Sequence, residues 1–237
     1  MAALCCTAVI LFLVEYCWHI SALRSCSEVK ACNSQYADGE YWIYPAPYGT
    51  TKVKIYCHGM GSGSPTEYVT LVEKNKGFYP AYSSNDCMTQ RALGYDEDSV
   101  CSGEGGVTTY HKIRVKIQTM EVDRMDNSFV EQELAVTVPY GEAADCYTRH
   151  YFGNRNVYGP EGYFHIDTTG TGLIVDQTLT FPVFGDFAWG QTIRNKQGTE
   201  IDLLCGGFPG GCRPVTPMML KVGPTEPSSE SARNPTC

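Results

Sequence analysis

The sequence KVKIYCHGMGSGSPTEYVTLV at residues 52–72 decides the fold class of this chain. Apolar and polar side chains alternate over residues 52–57, which is the period of two expected for a half-buried strand. Residues 58–65 are rich in glycine, serine and proline and interrupt regular structure, whereas residues 67–72 are rich in β-branched and aromatic side chains. The stretch therefore predicts a hairpin-like pair of strands with a wide loop, tethered by a disulfide at Cys57.

The composition extends this prediction to the whole chain. In 237 residues there are 24 glycines, 13 prolines and 16 tyrosines, which favours many short strands and turns over long helices. Further strands are predicted at 41–44, 108–118, 134–138, 163–167, 178–184, 187–193, 200–204 and 218–222. Residues 74–106 have few apolar runs and are predicted to form a long loop region pinned by disulfides. We therefore predict a single all-β domain, a disulfide-stapled β-sandwich or barrel-like fold with long loops.

The N-terminus differs in character from the rest of the chain. Residues 2–14 are uncharged and strongly apolar, but they are fewer than the roughly 20 residues that span a bilayer. Ser21 and Ala22 provide small residues for cleavage, so we predict a secretory signal peptide over residues 1–22 and a secreted, extracellular protein. The alternative is a buried N-terminal strand or helix, because no basic residue precedes the apolar run and Glu15 follows it.

Export would place the remaining cysteines in an oxidising compartment, where they are disulfide candidates first. These candidates are Cys26, Cys32, Cys57, Cys87, Cys101, Cys146, Cys205 and Cys212. Cys237 makes the number odd, so at least one thiol is unpaired or bonded to another molecule. Because residues 223–237 are rich in proline, serine and glutamate and are predicted to be disordered, we expect Cys237 to remain outside the framework, available for an intermolecular disulfide.

The charge of the chain argues against two classes of partner. Its net charge is −8 and it contains no basic run, which does not fit a protein that binds nucleic acid or an anionic membrane surface. Beyond the predicted signal peptide, no stretch is long and apolar enough to span a bilayer. We expect neither a nucleic-acid partner nor a membrane span.

Several segments resemble the GON domain, the module at the C-terminal end of one subgroup of ADAMTS metalloproteases. They are DGEY at 38–41, KIYCHGM at 54–60, PTEYVTL at 65–71, HKIR at 111–114, PYG at 139–141 with ADCY at 144–147, FHIDTTGTG at 164–172 and CGGF at 205–208. The segments occur in the family's order and extend over residues 26–222. The resemblance implies an accessory extracellular domain rather than a protease.

The chain also departs from the family pattern. The family usually carries a cysteine inside the Cys-Gly-Gly segment, where this chain has Phe208 and Pro209, and another soon after Asp-Cys-Tyr. The region around Cys101 has fewer cysteines than the family, and Cys32 looks additional. The family's disulfide pairings therefore cannot be transferred as a whole.

No motif in the sequence supports catalysis. A zincin protease needs two histidines and a glutamate in His-Glu-x-x-His, and none of the five histidines is followed by glutamate. A nucleophile elbow and a P-loop are also missing. We predict no catalytic residue and no cofactor.

Weak metal-ligating candidates remain at His58 and in one acidic run. His58 follows Cys57 directly, and a mixed site with Cys146 and His150 is chemically possible, but adjacent ligands are poorly spaced and export favours disulfides.

The acidic run consists of Asp96, Glu97 and Asp98. Several carboxylates attract Ca²⁺, but these three lack the spacing of an EF-hand loop. A solvated acidic loop is the favoured interpretation.

The sequence as a whole predicts a secreted, non-catalytic binding or structural module with an unidentified partner in the matrix or at the cell surface. One alternative is a zinc metalloendopeptidase, suggested by the family association alone. Another is a fragment of an ADAMTS-like protease, against which the predicted signal peptide ahead of Cys26 argues.

Overall fold

The computed structural model of the protein describes residues 22–81, 104–146, 160–185, 187–207, 209–227 and 231–237. The predictions made for residues 1–21, for 96–98 and for Cys87, Cys101 and His150 fall outside the described residues.

Strands dominate the described part of the chain. Helix α1 spans Cys26–Cys32, and a short 3₁₀ turn spans Ala46–Tyr48. The strands are β1 Gly39–Ile43, β2 Val53–His58, β3 Thr66–Tyr79, β4 Gly106–Lys116, β5 Glu121–Val122, β6 Val130–Glu133, β7 Ala143–Asp145, β8 Tyr163–Asp167, β9 Leu173–Val175, β10 Val183–Gly185, β11 Trp189–Arg194, β12 Glu200–Gly206, β13 Gly210–Cys212 and β14 Leu220–Val222. The all-β prediction is confirmed, and the sheets are not closed into a barrel.

The long strand β3 organises the main, nine-stranded sheet. One edge of β3 pairs with β4, and the other edge pairs with β2 near Tyr68 and with β8 near Gly77. The sheet continues from β2 to β1 and from β8 through β12 to β11, while β5 and β6 pair with β4. Two smaller sheets, β10-β13-β7 and β14-β9, complete the described fold.

A register shift divides β3 into two halves. Between Thr70 and Asn75 the pairing with β4 is irregular, and Asn75 is fully buried. The Asn75 side-chain amide donates to the Tyr140 hydroxyl at 2.7 Å, and its carbonyl oxygen accepts from the Asp167 N–H at 2.5 Å. Burial of a polar side chain is tolerated here because both ends of the amide are hydrogen-bonded.

One hydrophobic cluster contains residues from all three sheets. Near its centre, Tyr140 packs edge to face against Tyr110 and Phe164, with ring centroids 5.1 Å apart in both pairs. The buried Tyr110 hydroxyl donates to the Val138 carbonyl oxygen at 2.7 Å. Aromatic pairs in this geometry stabilise a core by about 0.5–1.5 kcal/mol beyond the area that they bury.

Several local predictions need correction. The loop predicted from residue 74 begins later, because β3 continues to Tyr79. The strand predicted at 134–138 is wrong: β6 ends at Glu133, and Leu134 has a positive φ of 68°, which breaks an extended run. Of the strand predicted at 178–184, only the end forms, as β10.

Helix α1 was not predicted, although its N-terminal signal is present in the sequence. The Ser25 hydroxyl oxygen accepts from the Glu28 N–H at 3.1 Å and caps the helix. Glu28 lies in the first turn and Lys30 in the last, as the helix dipole favours. The helix is only seven residues long, and its buried Val29 and Cys26 hold it against the core.

Three disulfides join described residues, and they confirm the prediction of disulfide bonds. Cys26–Cys57 links α1 to β2, and Cys205–Cys212 links β12 to β13. The third is Cys32–Cys237, whose partners are separated by 205 positions in the sequence, and Cys146 is also disulfide-bonded. The expectation that Cys237 lies outside the framework is therefore wrong.

The last residues form a C-terminal strap, which we define as residues 231–237. Besides the disulfide, the Trp42 N–H donates to the Arg233 carbonyl oxygen and the Arg233 N–H donates to the Glu40 carbonyl oxygen, both at 2.9 Å. The Thr236 N–H donates to the Tyr36 hydroxyl at 3.0 Å. The strap thus pairs with the outer edge of β1 and differs from the disordered tail expected for this part of the chain.

Replacing both Cys32 and Cys237 with serine is expected to lower the free energy of unfolding by about 2–4 kcal/mol, since the bridge closes a very long loop in the unfolded chain. Denaturant titration measures the loss. In the wild-type protein, non-reducing peptide mapping should recover a cross-linked Cys32–Cys237 peptide. A Cys237 thiol that alkylates without prior reduction would contradict the assignment.

Candidate functional site

The GON-like segments of β2, β3 and β4 lie side by side in the sheet. Directly paired residues project from the same face, so Glu40, Tyr56, Tyr68 and Arg114 form one row across four strands. Thr70 and Lys112 form an adjacent pair on this face. The opposite face carries the buried side chains of the core.

A groove of about 480 Å³ lies between this face and the strap. We call it the charged groove and define it by Glu40, Lys54, Tyr56, Thr70, Lys112 and Arg233, which line it. Its floor belongs to the sheet, and Ser231 and Arg233 of the strap form its rim. The Ser231 hydroxyl is hydrogen-bonded to the Glu40 carboxylate, which fixes the rim to the floor.

Charges of both signs meet in the floor of the groove. The Lys54 Nζ lies 3.7 Å from the Glu40 Oε2, and these two side chains are only 8% and 11% exposed. Lys112 is partly buried, and this burial lowers the pKa of its ammonium; Glu40 opposes the shift and Lys54 adds to it. A cation that has lost part of its hydration interacts more strongly with an incoming acceptor than a fully solvated cation does.

Lys112 also lies over aromatic rings. Its Nζ is 4.7 Å from the centroid of the Tyr56 ring and 5.5 Å from that of Phe129. Contacts of this kind hold a lysine ammonium by about 0.5–2 kcal/mol, depending on its desolvation. The position of the ammonium is therefore set before any ligand arrives.

The Thr70 side chain gives the groove an unused polar atom. Its Oγ1 is buried and has no hydrogen-bond partner among the described residues. An unsatisfied buried hydroxyl costs about 1–3 kcal/mol, which a bound water or ligand atom would recover.

Phe129 closes one end of this face. It comes from the loop between β5 and β6, and its ring centroid lies 4.8 Å from that of Tyr68, 5.1 Å from His58 and 5.7 Å from Tyr56. Asp126, in the same loop, lies 3.4 Å from the Arg114 guanidinium. Phe129 lies outside the GON-like segments, and no sequence signal pointed to it.

The structure gives His58 a different role from a metal ligand. Its Nδ1 lies 3.0 Å from the Asp38 carboxylate, which also accepts from the Gly59 N–H at 2.9 Å and the Met60 N–H at 2.6 Å. Burial alone would raise the pKa of Asp38, but these donors and His58 outweigh it and the pKa lies below its ordinary value. Asp38 thus anchors the loop between β2 and β3.

The proposed cysteine ligands are engaged elsewhere. Cys57 is bonded to Cys26, and Cys146 is also in a disulfide, so neither offers a thiolate. Within the described ranges, no group of three or more histidine, cysteine, aspartate or glutamate side chains is arranged to hold a metal ion. Among the described residues, Asp38 is beside His58, but no third ligand completes a metal site.

A second cluster of charged residues has a structural explanation. Glu142 is 4% exposed; its carboxylate accepts from the Arg124 guanidinium at 3.0 Å and from the Tyr79 hydroxyl at 2.8 Å. The Arg124 Nε also donates to the Tyr140 carbonyl oxygen at 2.6 Å. This satisfied pair ties the loop after β5 to the segment before β7, and sequence reasoning missed it because its members are distant in the chain.

Another GON-like residue has a structural role. Asp145, in the ADCY segment, is 1% exposed, and its carboxylate accepts from the Gly207 N–H and the Glu161 N–H, both at 3.0 Å. Gly207 belongs to the CGGF segment, so two distant segments of the resemblance meet through one carboxylate. This contact joins β7 to the end of β12.

The profile of the GON domain matches residues 23–223 of the chain. The chain belongs to the GON domain family. It is 30% identical over 208 residues, or 84% of its length, to "A disintegrin and metalloproteinase with thrombospondin motifs gon-1" of Caenorhabditis elegans, of which it covers 9%. It is 28% identical over 199 residues, or 81% of its length, to "A disintegrin and metalloproteinase with thrombospondin motifs 20" of Homo sapiens, of which it covers 10%.

This GON domain therefore spans about a tenth of the length of the curated relatives that it matches. Comparison with solved structures found no match. Within the described ranges, no helix has both the length and the apolar character needed to cross a membrane.

The anchoring role of Asp38 predicts a pH dependence. Because its pKa is lowered on folding, its stabilising contribution is fully present above the unfolded-state value of about 3.9 and is lost as the pH falls from there through the folded-state pKa. Thermal unfolding of the wild type and of Asp38→Asn should differ at about pH 6 and converge towards about pH 2. A difference that stays constant over this range would refute the assignment.

Proposed function

We propose that this GON domain is a secreted, non-catalytic module that binds an extracellular protein in the matrix or at the cell surface through the charged groove. The observation that carries the proposal is the groove itself, whose floor GON-like segments build on one face of the main sheet. The disulfides favour an oxidising compartment, in agreement with secretion. The family membership supports a module that accompanies catalysis in its longer relatives.

The groove has the chemistry of a protein-binding surface. It combines an aromatic side chain with a desolvated lysine, a carboxylate and an unpaired hydroxyl, in Tyr56, Lys112, Glu40 and Thr70. Buried aromatic and cationic anchors supply most of the energy in protein interfaces, whereas scattered surface charges supply little. A partner with complementary charges would satisfy Thr70 and pair with Lys112.

Retention of matrix proteins on the immobilised chain tests the groove. The double variant Tyr56→Ala, Lys112→Ala should lose at least about 2 kcal/mol of binding free energy, corresponding to roughly 30-fold weaker binding, because it removes both anchors. Lys221→Ala is the matched control, since this lysine is 53% exposed on β14, away from the groove. Equal retention by the wild type and the double variant would overturn the assignment to the groove.

The second candidate function is metal-dependent proteolysis. The relatives are named as metalloproteinases, and the part of each that this chain matches is about a tenth of its length. The absence of a His-Glu-x-x-His motif disfavours that function here. A third possibility, a fragment of a longer ADAMTS-like protease, would be decided by mapping the ends of the transcript.

Incubation with casein and with extracted matrix proteins separates binding from proteolysis. We expect no cleavage products in the presence of added zinc or of a chelator, because the chain offers no zincin ligands. Mass spectrometry of the reaction detects the products. Cleavage that a chelator abolishes, in protein freed of contaminating proteases, would establish the second function instead.

A further inference from the structure

Among the described strands, β11 forms one edge of the main sheet. It is six residues long and pairs with β12 on one side. Gly190, Gln191, Thr192 and Ile193 are all exposed. Because glycine has no side chain, the exposure of Gly190 means that its backbone itself faces solvent.

The hydrogen-bond pattern shows which backbone groups of β11 face away from β12. The Asn195 N–H donates to the Glu200 carbonyl oxygen, whereas the Cys205 N–H turns away from β11 to the Gly162 carbonyl oxygen of the β8 side. Hydrogen-bonded and non-hydrogen-bonded pairs alternate in an antiparallel ladder. Gln191 and Ile193 therefore bond to β12, and the N–H and C=O groups of Gly190 and Thr192 point outwards from the sheet.

Other edges among the described residues are protected. The strap and the Leu23 carbonyl oxygen cover the edge of β1. Strand β6 is four residues long and carries Glu131 and Glu133, and short, charged edges resist further pairing. The strands of the two smaller sheets have three residues each.

Among the described residues, nothing protects β11 in these ways. It contains no proline or lysine, its pairing with β12 is regular, and its single charge, Arg194, lies at its end. On the outer face, Ile193 is 52% exposed and Leu204 of β12 is 42% exposed. An edge of this length with apolar side chains beside it is a template for another strand.

We propose that β11 binds an extended segment of another protein, which adds to the sheet as an antiparallel strand. The partner's backbone pairs with Gly190 and Thr192, and an apolar side chain of the partner packs beside Ile193 on the outer face. The sheet already accepts an extended segment at its opposite edge, where Arg233 of the strap pairs with β1. A second copy of the chain is disfavoured as the partner because each copy carries a net charge of −8.

Amide hydrogen exchange of the free protein, resolved by residue, tests the edge without a ligand. We expect fast exchange at Gly190 and Thr192 and slow exchange at Gln191 and Ile193, because only the latter pair donates within the sheet. Slow exchange at Thr192 in a monomeric sample would show that the edge is already covered and would overturn the proposal.

A substitution at Thr192 tests binding. Thr192→Pro removes an outward N–H and no bond to β12, a position at which proline is tolerated on an edge strand. Thr192→Val keeps the N–H and is the matched control. Melting temperature confirms that both variants are folded, and the alternation of exchange rates confirms that β11 is retained.

Random decapeptides displayed on phage provide the probe. A library depleted on Thr192→Pro and then selected on the wild type should yield peptides that bind the wild type and Thr192→Val, and bind Thr192→Pro roughly ten-fold or more weakly. N-methylation of the alternate backbone amides that face β11 should abolish binding, because it removes their N–H donors. The side chains of the peptides stay unchanged, so a loss of binding reports on the backbone. Binding that survives N-methylation, a depleted library without binders, or self-association of the chain through β11 would each overturn the proposal.

This surface is independent of the charged groove. The double variant Tyr56→Ala, Lys112→Ala should bind the selected peptides as the wild type does, and Thr192→Pro should retain matrix proteins as the wild type does. The two proposals can therefore fail separately.

Discussion

The pairing of β3 with its three neighbours is the constraint on which the rest of the described fold depends. Its two halves bring β2 and β8 to the same edge, with β4 along the other. The register shift between Thr70 and Asn75 separates the two halves of β3 and leaves the Asn75 side chain inside the core. This arrangement is stable only if the buried amide of Asn75 is hydrogen-bonded. The hydrogen bonds of Asn75 to Tyr140 and Asp167 satisfy both ends of its amide. They also connect the register shift in β3 to segments 65 and 92 residues further along the chain.

Two disulfides hold peripheral segments against this sheet. Cys26–Cys57 fixes α1 to β2, whereas Cys32–Cys237 fixes the strap to α1. A strap held at its end pairs with β1 at a reduced entropic cost, because the disulfide limits its freedom in both states. As a result, the C-terminal strap covers the β1 edge of the sheet. The same strap forms the rim of the charged groove.

The charged groove depends on compensation between neighbouring groups. Lys54 and Glu40 are almost fully buried and neutralise each other, and Lys112 rests on aromatic rings. The sequence placed Lys54 and Tyr56 on one side of a strand, but it gave no sign that Glu40 would face them or that Phe129 would reach them. Such contacts depend on strand register and loop path, which a local pattern does not encode.

The strand-rich class, the disulfide bonds and the family resemblance could be predicted from the sequence, because period-two alternation, cysteine content and short motifs are local properties. It also located β2 and β8 closely. The folded structure was needed to establish the extent of β3, the partner of Cys237, the contact between Asp145 and Gly207 and the position of β11 at the edge of the described sheet. These features depend on which distant segments pair, and that choice is made by burying one shared core and satisfying its polar groups together.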